Sequence, residues 1–362
     1  MEEFINDHIK KLSPYNPVDP NRKFSKLFNL DPGKIIRLNA NENPFGPLEE
    51  VYDYMDEIPV NIYPDPNQDE LRDKLAIYTG VSKKNIVAGS GADELIEIIF
   101  KLFCKKGDTL VDIEPTFGMY SFLAESIGMN VLKLQSDEEW GFDLGRIKKI
   151  ISENNVKVLF LASPNNPTGN LVDRKKLISL LKMGLIVVVD ETYYEFSNTS
   201  SIGLLKEFRN LIILRSFSKW AGIAGLRVGY MVADEEIINT VFKVKQPYNV
   251  NVVAERAAIL TLINPGPLLE NIKIILDERE KFVKFLNNFD NTTPFASSGN
   301  FILCKFTKKS SDFIFNNLAR EGIFVRSFSE EILKNCLRFT IGTPVQMSKV
   351  HKELEKIFKE GL

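Results

Sequence analysis

Histidine is almost missing from this chain. Of 362 residues only His8 and His351 are histidines, one near each end. A Ser-His-Asp or Cys-His nucleophile, or a His-rich metal site, needs an imidazole in the structured interior. None is available there, so no metal site is expected. Proton transfer falls to lysine, tyrosine, a carboxylate or a bound cofactor. Cysteine is scarce as well. Cys104, Cys304 and Cys336 are odd in number and have no CxxC spacing. That pattern excludes a disulfide framework and reads as reduced thiols. No apolar run approaches the roughly 18 residues of a membrane span. The first eleven residues are mixed polar, without the apolar stretch of a secretory leader. The expectation is a cytoplasmic protein with no membrane partner. Charge of one sign is lacking too: 46 Lys and Arg face 48 Asp and Glu, a net charge of −2. There is no general attraction to nucleic acid, and small molecules are the expected partners.

Composition is ordinary for a globular protein, and at roughly 100–200 residues per domain the length suggests two domains. No internal repeat is visible. Residues 13–34 are rich in Pro, Asn, Asp and Lys and read as an irregular arm. From Ile86 a rhythm begins. Short β-branched or apolar runs stand at 86–89, 109–113, 156–162, 185–189, 211–214 and 228–233. Helix-like stretches lie at 92–105, 116–128, 171–183 and 201–208. Near-continuous apolar strands alternating with helices predict an α/β domain with a mostly parallel sheet covered by helices on both faces. The run Asn264-Pro265-Gly266-Pro267 breaks the rhythm. A long helical pattern at 268–288 follows, then strands near 300–306 and 337–341 and helices near 310–321 and 347–360. That tail predicts a smaller α+β domain. The expected division is 1–37 as arm and first part of the small domain, 38–262 as the large domain, and 263–362 as the small one.

Ligands of open α/β sheets bind beyond the carboxyl ends of the strands. The residues after each apolar run are therefore the candidates. Gly89-Ser90-Gly91-Ala92-Asp93-Glu94 opens a helix whose first N–H groups suit an anion such as phosphate. It is neither a full GxGxxG nor a Walker loop, and taken alone it is an ordinary turn with an acidic cap. Ser163-Pro164-Asn165-Asn166-Pro167 holds Asn166 out of helical conformation, since the residue before proline is restricted. An Asn/Pro/Gly turn is the bland alternative. Asp190 ends five apolar residues, so a part-buried carboxylate with a cationic partner is expected, against a plain helix cap. Finally, Arg215-Ser216-Phe217-Ser218-Lys219 precedes Arg227. Two hydroxyls and a guanidinium beside Lys219 make an anion site next to an amine able to condense with an aldehyde. A single lysine is more often a solvated one.

The order and spacing of these residues are specific. Asn166, Asp190, Lys219 and Arg227, at gaps of 24, 29 and 8 residues, resemble the motifs of the fold type I, class I/II pyridoxal-phosphate aminotransferases. The resemblance spans almost the whole chain. Further stretches are similar to the histidinol-phosphate branch of that family: Asn39-Ala40-Asn41-Glu42-Asn43-Pro44-Phe45-Gly46-Pro47, Tyr63-Pro64-Asp65-Pro66, Pro115-Thr116-Phe117-Gly118-Met119-Tyr120 and Pro247-Tyr248-Asn249-Val250-Asn251.

The resemblance implies pyridoxal 5′-phosphate as cofactor and an exchange between an amino donor and a 2-oxo acid, with L-histidinol phosphate and 2-oxoglutarate as the favoured pair. It implies Lys219 as covalent anchor and proton shuttle, and Asp190 as partner of the ring nitrogen. Asn166 and Tyr193 would bond the ring oxygen, and Phe117 would stack on the ring. The phosphate would be held by Ala92, Asp93, Ser216, Ser218 and Arg227. Tyr63 would come from the second subunit of a homodimer. Arg338 and Arg326 would anchor the substrate, with Tyr15 of the arm closing over it. An aromatic amino-acid aminotransferase, or a lyase like threonine-phosphate decarboxylase, are the competing readings.

Overall fold

A computed structural model describes residues 2–359 of the protein. Its larger layer is a five-stranded sheet in the order β2 (Ile86–Gly89), β8 (Gly229–Ala233), β7 (Leu211–Ser216), β6 (Ile186–Asp190), β5 (Val158–Ala162). A parallel pair, β3 (Thr109–Glu114) and β4 (Asn130–Gln135), joins it through a parallel bridge between Thr109 and Val156. The sheet is mostly parallel, as predicted. β8 is the exception and runs antiparallel to both β2 and β7.

Why these segments pair follows from their burial. Along β5, β6 and β7 successive residues alternate between two apolar clusters. Val158, Phe160, Val188, Ile212 and Leu214 face the helix Gly91–Phe103. Leu159, Leu161, Val187, Val189, Leu211 and Ile213 face the other side. Both faces are dry, so the strands are apolar throughout rather than alternating. Each buried aliphatic side chain stabilises the fold by about 1.5–3 kcal/mol.

The second sheet has the order β1 (Ile36–Leu38), β11 (Ile323–Ser327), β12 (Cys336–Thr340), β10 (Phe301–Phe306), β9 (Thr292–Pro294). Only β1 is parallel to its neighbour. The helices Gly266–Leu286, Ser311–Arg320 and Pro344–Lys359 cover one face. His351 lies flat on Phe285 there, ring centroids 4.3 Å apart, which is a packing role. The other face of this sheet carries Phe301, Arg326, Arg338 and Thr340 toward the large sheet. Phe301 meets Tyr193 edge-on at 5.2 Å.

Two expectations are corrected. The stretch 13–34 is not wholly irregular, because a helix spans Asn21–Phe28. Phe24 and Phe28, four residues apart and so on one helical face, both pack on Phe324 of β11. The stretch 201–208 is a short 3-10 turn, Ile202–Lys206, rather than a helix of full length. No single described helix is long and apolar enough to cross a membrane.

Candidate active site

The carboxyl ends of β5, β6 and β7 and the start of the helix after β2 converge on one amine. Lys219 follows β7, and its Nζ donates to the carbonyl of Ala40 at 3.0 Å. Burial pushes the amine down to about 8, with the Arg338 guanidinium helping. A lysine so placed has an accessible neutral form near physiological pH, as a nucleophile or proton carrier requires.

Asp190 ends β6 and is 5% exposed. Tyr120 OH donates to its Oδ2 at 2.7 Å, and Thr192 N and Oγ1 donate to its Oδ1 at 3.0 and 2.6 Å. These donors are neutral, so the expected cationic partner within the chain is replaced by hydroxyls and an amide. Burial raises the carboxyl's pKa, and the three hydrogen bonds oppose that rise. A ligand bringing a cationic N–H would restore the charge.

The anion end is built from backbone and side chains together. The helix Gly91–Phe103 has no side-chain cap, so the N–H groups of its first turn, Ala92 and Asp93 included, lack helical partners. Ser216 Oγ donates to Ser218 Oγ at 2.9 Å, and Arg227 Nη1 reaches Ser218 Oγ at 3.4 Å. Arg227 Nη2 also pairs with the Asp93 carboxylate at 2.8 Å. Gly91 is at φ +77°, and a Cβ there would come 2.5 Å from Arg227 Nη2. Glycine thus lets the guanidinium lie against the helix start.

On the opposite side stand two arginines in register. Arg326 on β11 faces Arg338 on β12. Arg338 is 6% exposed; its Nη2 donates to Asn39 O at 2.8 Å and its Nη1 to Asn166 Oδ1. Its Nε is buried with no hydrogen-bond partner among the described residues. Burial lowers the Arg338 pKa to about 10. Arg326 makes no hydrogen bond or ion pair with any described residue. Two guanidiniums facing each other, one with an orphaned N–H, are complementary to an absent carboxylate or phosphate.

The remaining predicted residues fall around this centre, with one exception. Phe117 is half-buried, edge-on to Tyr120 at 5.6 Å. Tyr193 is buried and accepts from Asn41 Nδ2 at 2.9 Å. Tyr15 lies edge-on to Phe122 at 5.8 Å and within electrostatic reach of Arg326, Asp93 and Arg338. Tyr63 is the exception. It is 77% exposed and stacked on Tyr248 at 4.4 Å, with no hydrogen bond or ring contact to the residues above.

Three site residues have no role assigned to them from sequence alone, although Asn41 and Tyr120 lie within the family-like stretches 39–47 and 115–120. Tyr120 holds Asp190. Asn41, at φ 53°, ties Tyr193 to Thr340. Asn300 holds the Asn41 carbonyl at 3.1 Å.

A lysine of lowered pKa between an anion cradle, a buried carboxylate and a guanidinium pair defines the class: the chain belongs to the aminotransferase class I and II family, which matches residues 33–354. Among individual relatives, the chain is 40% identical over 361 residues to the chloroplastic histidinol-phosphate aminotransferase of Nicotiana plumbaginifolia, covering 99% of this chain and 87% of that one. It is 37% identical to the histidinol-phosphate aminotransferase of Roseiflexus castenholzii, covering 98% of each. The fold is also that of the histidinol-phosphate aminotransferase of Sinorhizobium meliloti solved with pyridoxal-5′-phosphate, with TM-score 0.88, 22% identity and 98% coverage of both chains.

Proposed function

We propose that this protein transfers an amino group between L-histidinol phosphate and 2-oxoglutarate, yielding imidazole-acetol phosphate and L-glutamate, with pyridoxal 5′-phosphate as cofactor. The Arg326–Arg338 pair, with its buried unpartnered Nε, carries this reading. Histidinol phosphate has a phosphate and no carboxylate, while glutamate has two carboxylates. Guanidinium forks accept either anion in one place. Near 40% identity over the whole chain to histidinol-phosphate aminotransferases supports the same substrate.

The residues present fit the cofactor. The uncapped helix start, Ser216, Ser218 and Arg227 suit its phosphate, and the half-buried Phe117 suits its ring face. Asp190 suits its ring nitrogen, and Asn166 and Tyr193 its ring oxygen. When bound, pyridoxal 5′-phosphate supplies an aldehyde for the amine and a ring that takes up the electrons left when the substrate carbon loses its proton. Asp190 would keep a negative charge beside the ring nitrogen and so favour its protonated form. Lys219 Nζ would take the proton from the substrate Cα and give it to the cofactor's C4′ carbon, its low pKa matching both tasks. Arg338 and Arg326 fix the substrate's anion. Tyr15, within electrostatic reach of both arginines, closes over the substrate and excludes water in this reading.

Tyr63 serves the second copy of a homodimer in this reading, and the chain divides near residues 38 and 263. The three free cysteines suit a reducing compartment such as the cytosol. One screen tests the function: the holoenzyme with 2-oxoglutarate and, separately, histidinol phosphate, phenylalanine, tyrosine or threonine phosphate. Ketone and glutamate from histidinol phosphate are the expected products. Carbon dioxide and an amine from threonine phosphate would replace the reading with a lyase.

A further inference from the structure

The segment after β1 wraps around the catalytic lysine, and most of its polar groups have evident partners. Ala40 O accepts from Lys219 Nζ at 3.0 Å. Asn41 Nδ2 donates to Tyr193 OH at 2.9 Å. Asn43 Nδ2 donates at 2.7 Å to the carbonyl of Trp220, the residue after Lys219. Asn41 and Asn43 are buried, 1% and 8% exposed, whereas the side chain of Glu42 between them is 38% exposed. The chain turns at Asn41 in the left-handed region. That turn sends the two amides inward and leaves the carboxylate partly exposed.

The Glu42 carboxylate pairs with Arg37 Nε at 2.8 Å. Arg37 lies on β1 in register with Phe324, two residues before Arg326, which in turn faces Arg338. The pair Arg37–Glu42 therefore borders the same sheet face that presents the anion-binding arginines. Glu42 also acts on Lys219 electrostatically, favouring its protonated form. The site thus has guanidiniums for an anion, an amine, and a carboxylate beside that amine. A substrate with a phosphate, an amino group and an N–H-bearing ring matches this layout. A phenyl ring offers Glu42 nothing to accept.

We propose that Glu42 determines specificity by accepting the imidazole N–H of the substrate, and that Arg37 neutralises Glu42 when glutamate's side-chain carboxylate occupies the same place. This rests on the histidinol-phosphate reading above. Imidazole carries an N–H whether neutral or protonated, so the contact exists in both forms. The two substrates alternate in one site, and a paired carboxylate is a device that serves a donor in one half-reaction without repelling an anion in the other.

Single-turnover kinetics on the holoenzyme separate the two roles. Glu42→Ala should raise KM for histidinol phosphate about tenfold to a hundredfold with little change in kcat. The glutamate half-reaction should be weakened far less, because Glu42 accepts no hydrogen bond from that substrate. Glu42→Gln should recover part of the loss, because its amide oxygen still accepts an N–H. Arg37→Met should do the reverse and weaken glutamate selectively. Calorimetric titration of histidinol phosphate into cofactor-loaded Lys219→Ala protein, with and without Glu42→Ala, reads the same contact without turnover. Equal losses in both half-reactions, or none in either, would overturn the proposal while leaving the enzyme's function intact. A parent enzyme that processes phenylalanine and ignores histidinol phosphate would instead overturn the functional reading, and this proposal with it.

Discussion

At the scale of single residues the chemistry turns on two groups moved off their ordinary pKa. Lys219 is lowered to about 8 by burial and by Arg338. Its neutral form grows about tenfold per pH unit below that value and saturates above it. Cofactor uptake by the apoprotein, followed by absorbance, should therefore accelerate from pH 7 to 9 and then level. The guanidinium disfavours a second positive charge, so Arg338→Met should raise the amine's pKa and move the whole profile to higher pH. A profile that stays in place would mean that Arg338 does not set this amine. Asp190 is moved the other way, raised by burial. Asp190→Asn keeps shape and loses charge. It should slow turnover by more than about a hundredfold, as removal of a preorganised electrostatic partner does. Cofactor affinity, measured by equilibrium dialysis, should change much less. Near-normal turnover would remove Asp190 from its assigned role.

At the scale of elements, the site depends on how two loops interlock. Gly222 is at φ +71°, and a Cβ there would come 2.2 Å from Gly46 O. The loop after Lys219 and the segment 39–47 thus touch backbone to backbone. Gly222→Ala should cost about 1–3 kcal/mol in backbone strain alone, more with the clash. It should lower the urea midpoint and loosen the Ala40 contact that orients Lys219. An unchanged midpoint would show that the loops yield easily. Such contacts explain what was legible in the sequence. β5, β6 and β7 are buried on both faces and so read as continuous apolar runs. The residues at their ends, Asn166, Asp190 and Lys219, could be found by position. β4 was missed because four of its six residues are exposed. β1 was missed because it is three residues long and pairs with β11 across most of the chain. The roles of Asn41 and Asn300 are not readable locally because their partners lie 152 and 259 positions away. Local pattern carries no information about such pairs.

At the scale of the whole molecule, the stretch around Tyr63 leaves several large apolar side chains exposed. Tyr52, Val60, Ile62, Tyr63 and Tyr248 are large apolar residues exposed by 46–77%. Tyr63 and Tyr248 stack on each other, so these two exposed rings form one apolar feature. Exposed apolar patches mark interaction sites, and a self-complementary patch forms a two-fold dimer. In the homodimer proposed above, Tyr63 of one copy completes the phosphate site of the other. Each site then needs Lys219 from one chain and Tyr63 from its partner. Variants Lys219→Ala and Tyr63→Ala should each be nearly inactive alone. Mixed at equal amounts and allowed to exchange, half of the dimers become hybrids, each with one intact site and one doubly defective site. About a quarter of all sites should then be active. Activity that returns on mixing, with sedimentation showing a dimer throughout, supports a shared site. Two inactive variants that stay inactive after proven exchange would place Tyr63 and Lys219 in the same site of one chain. A fully active monomer by sedimentation would remove the second copy from the chemistry altogether.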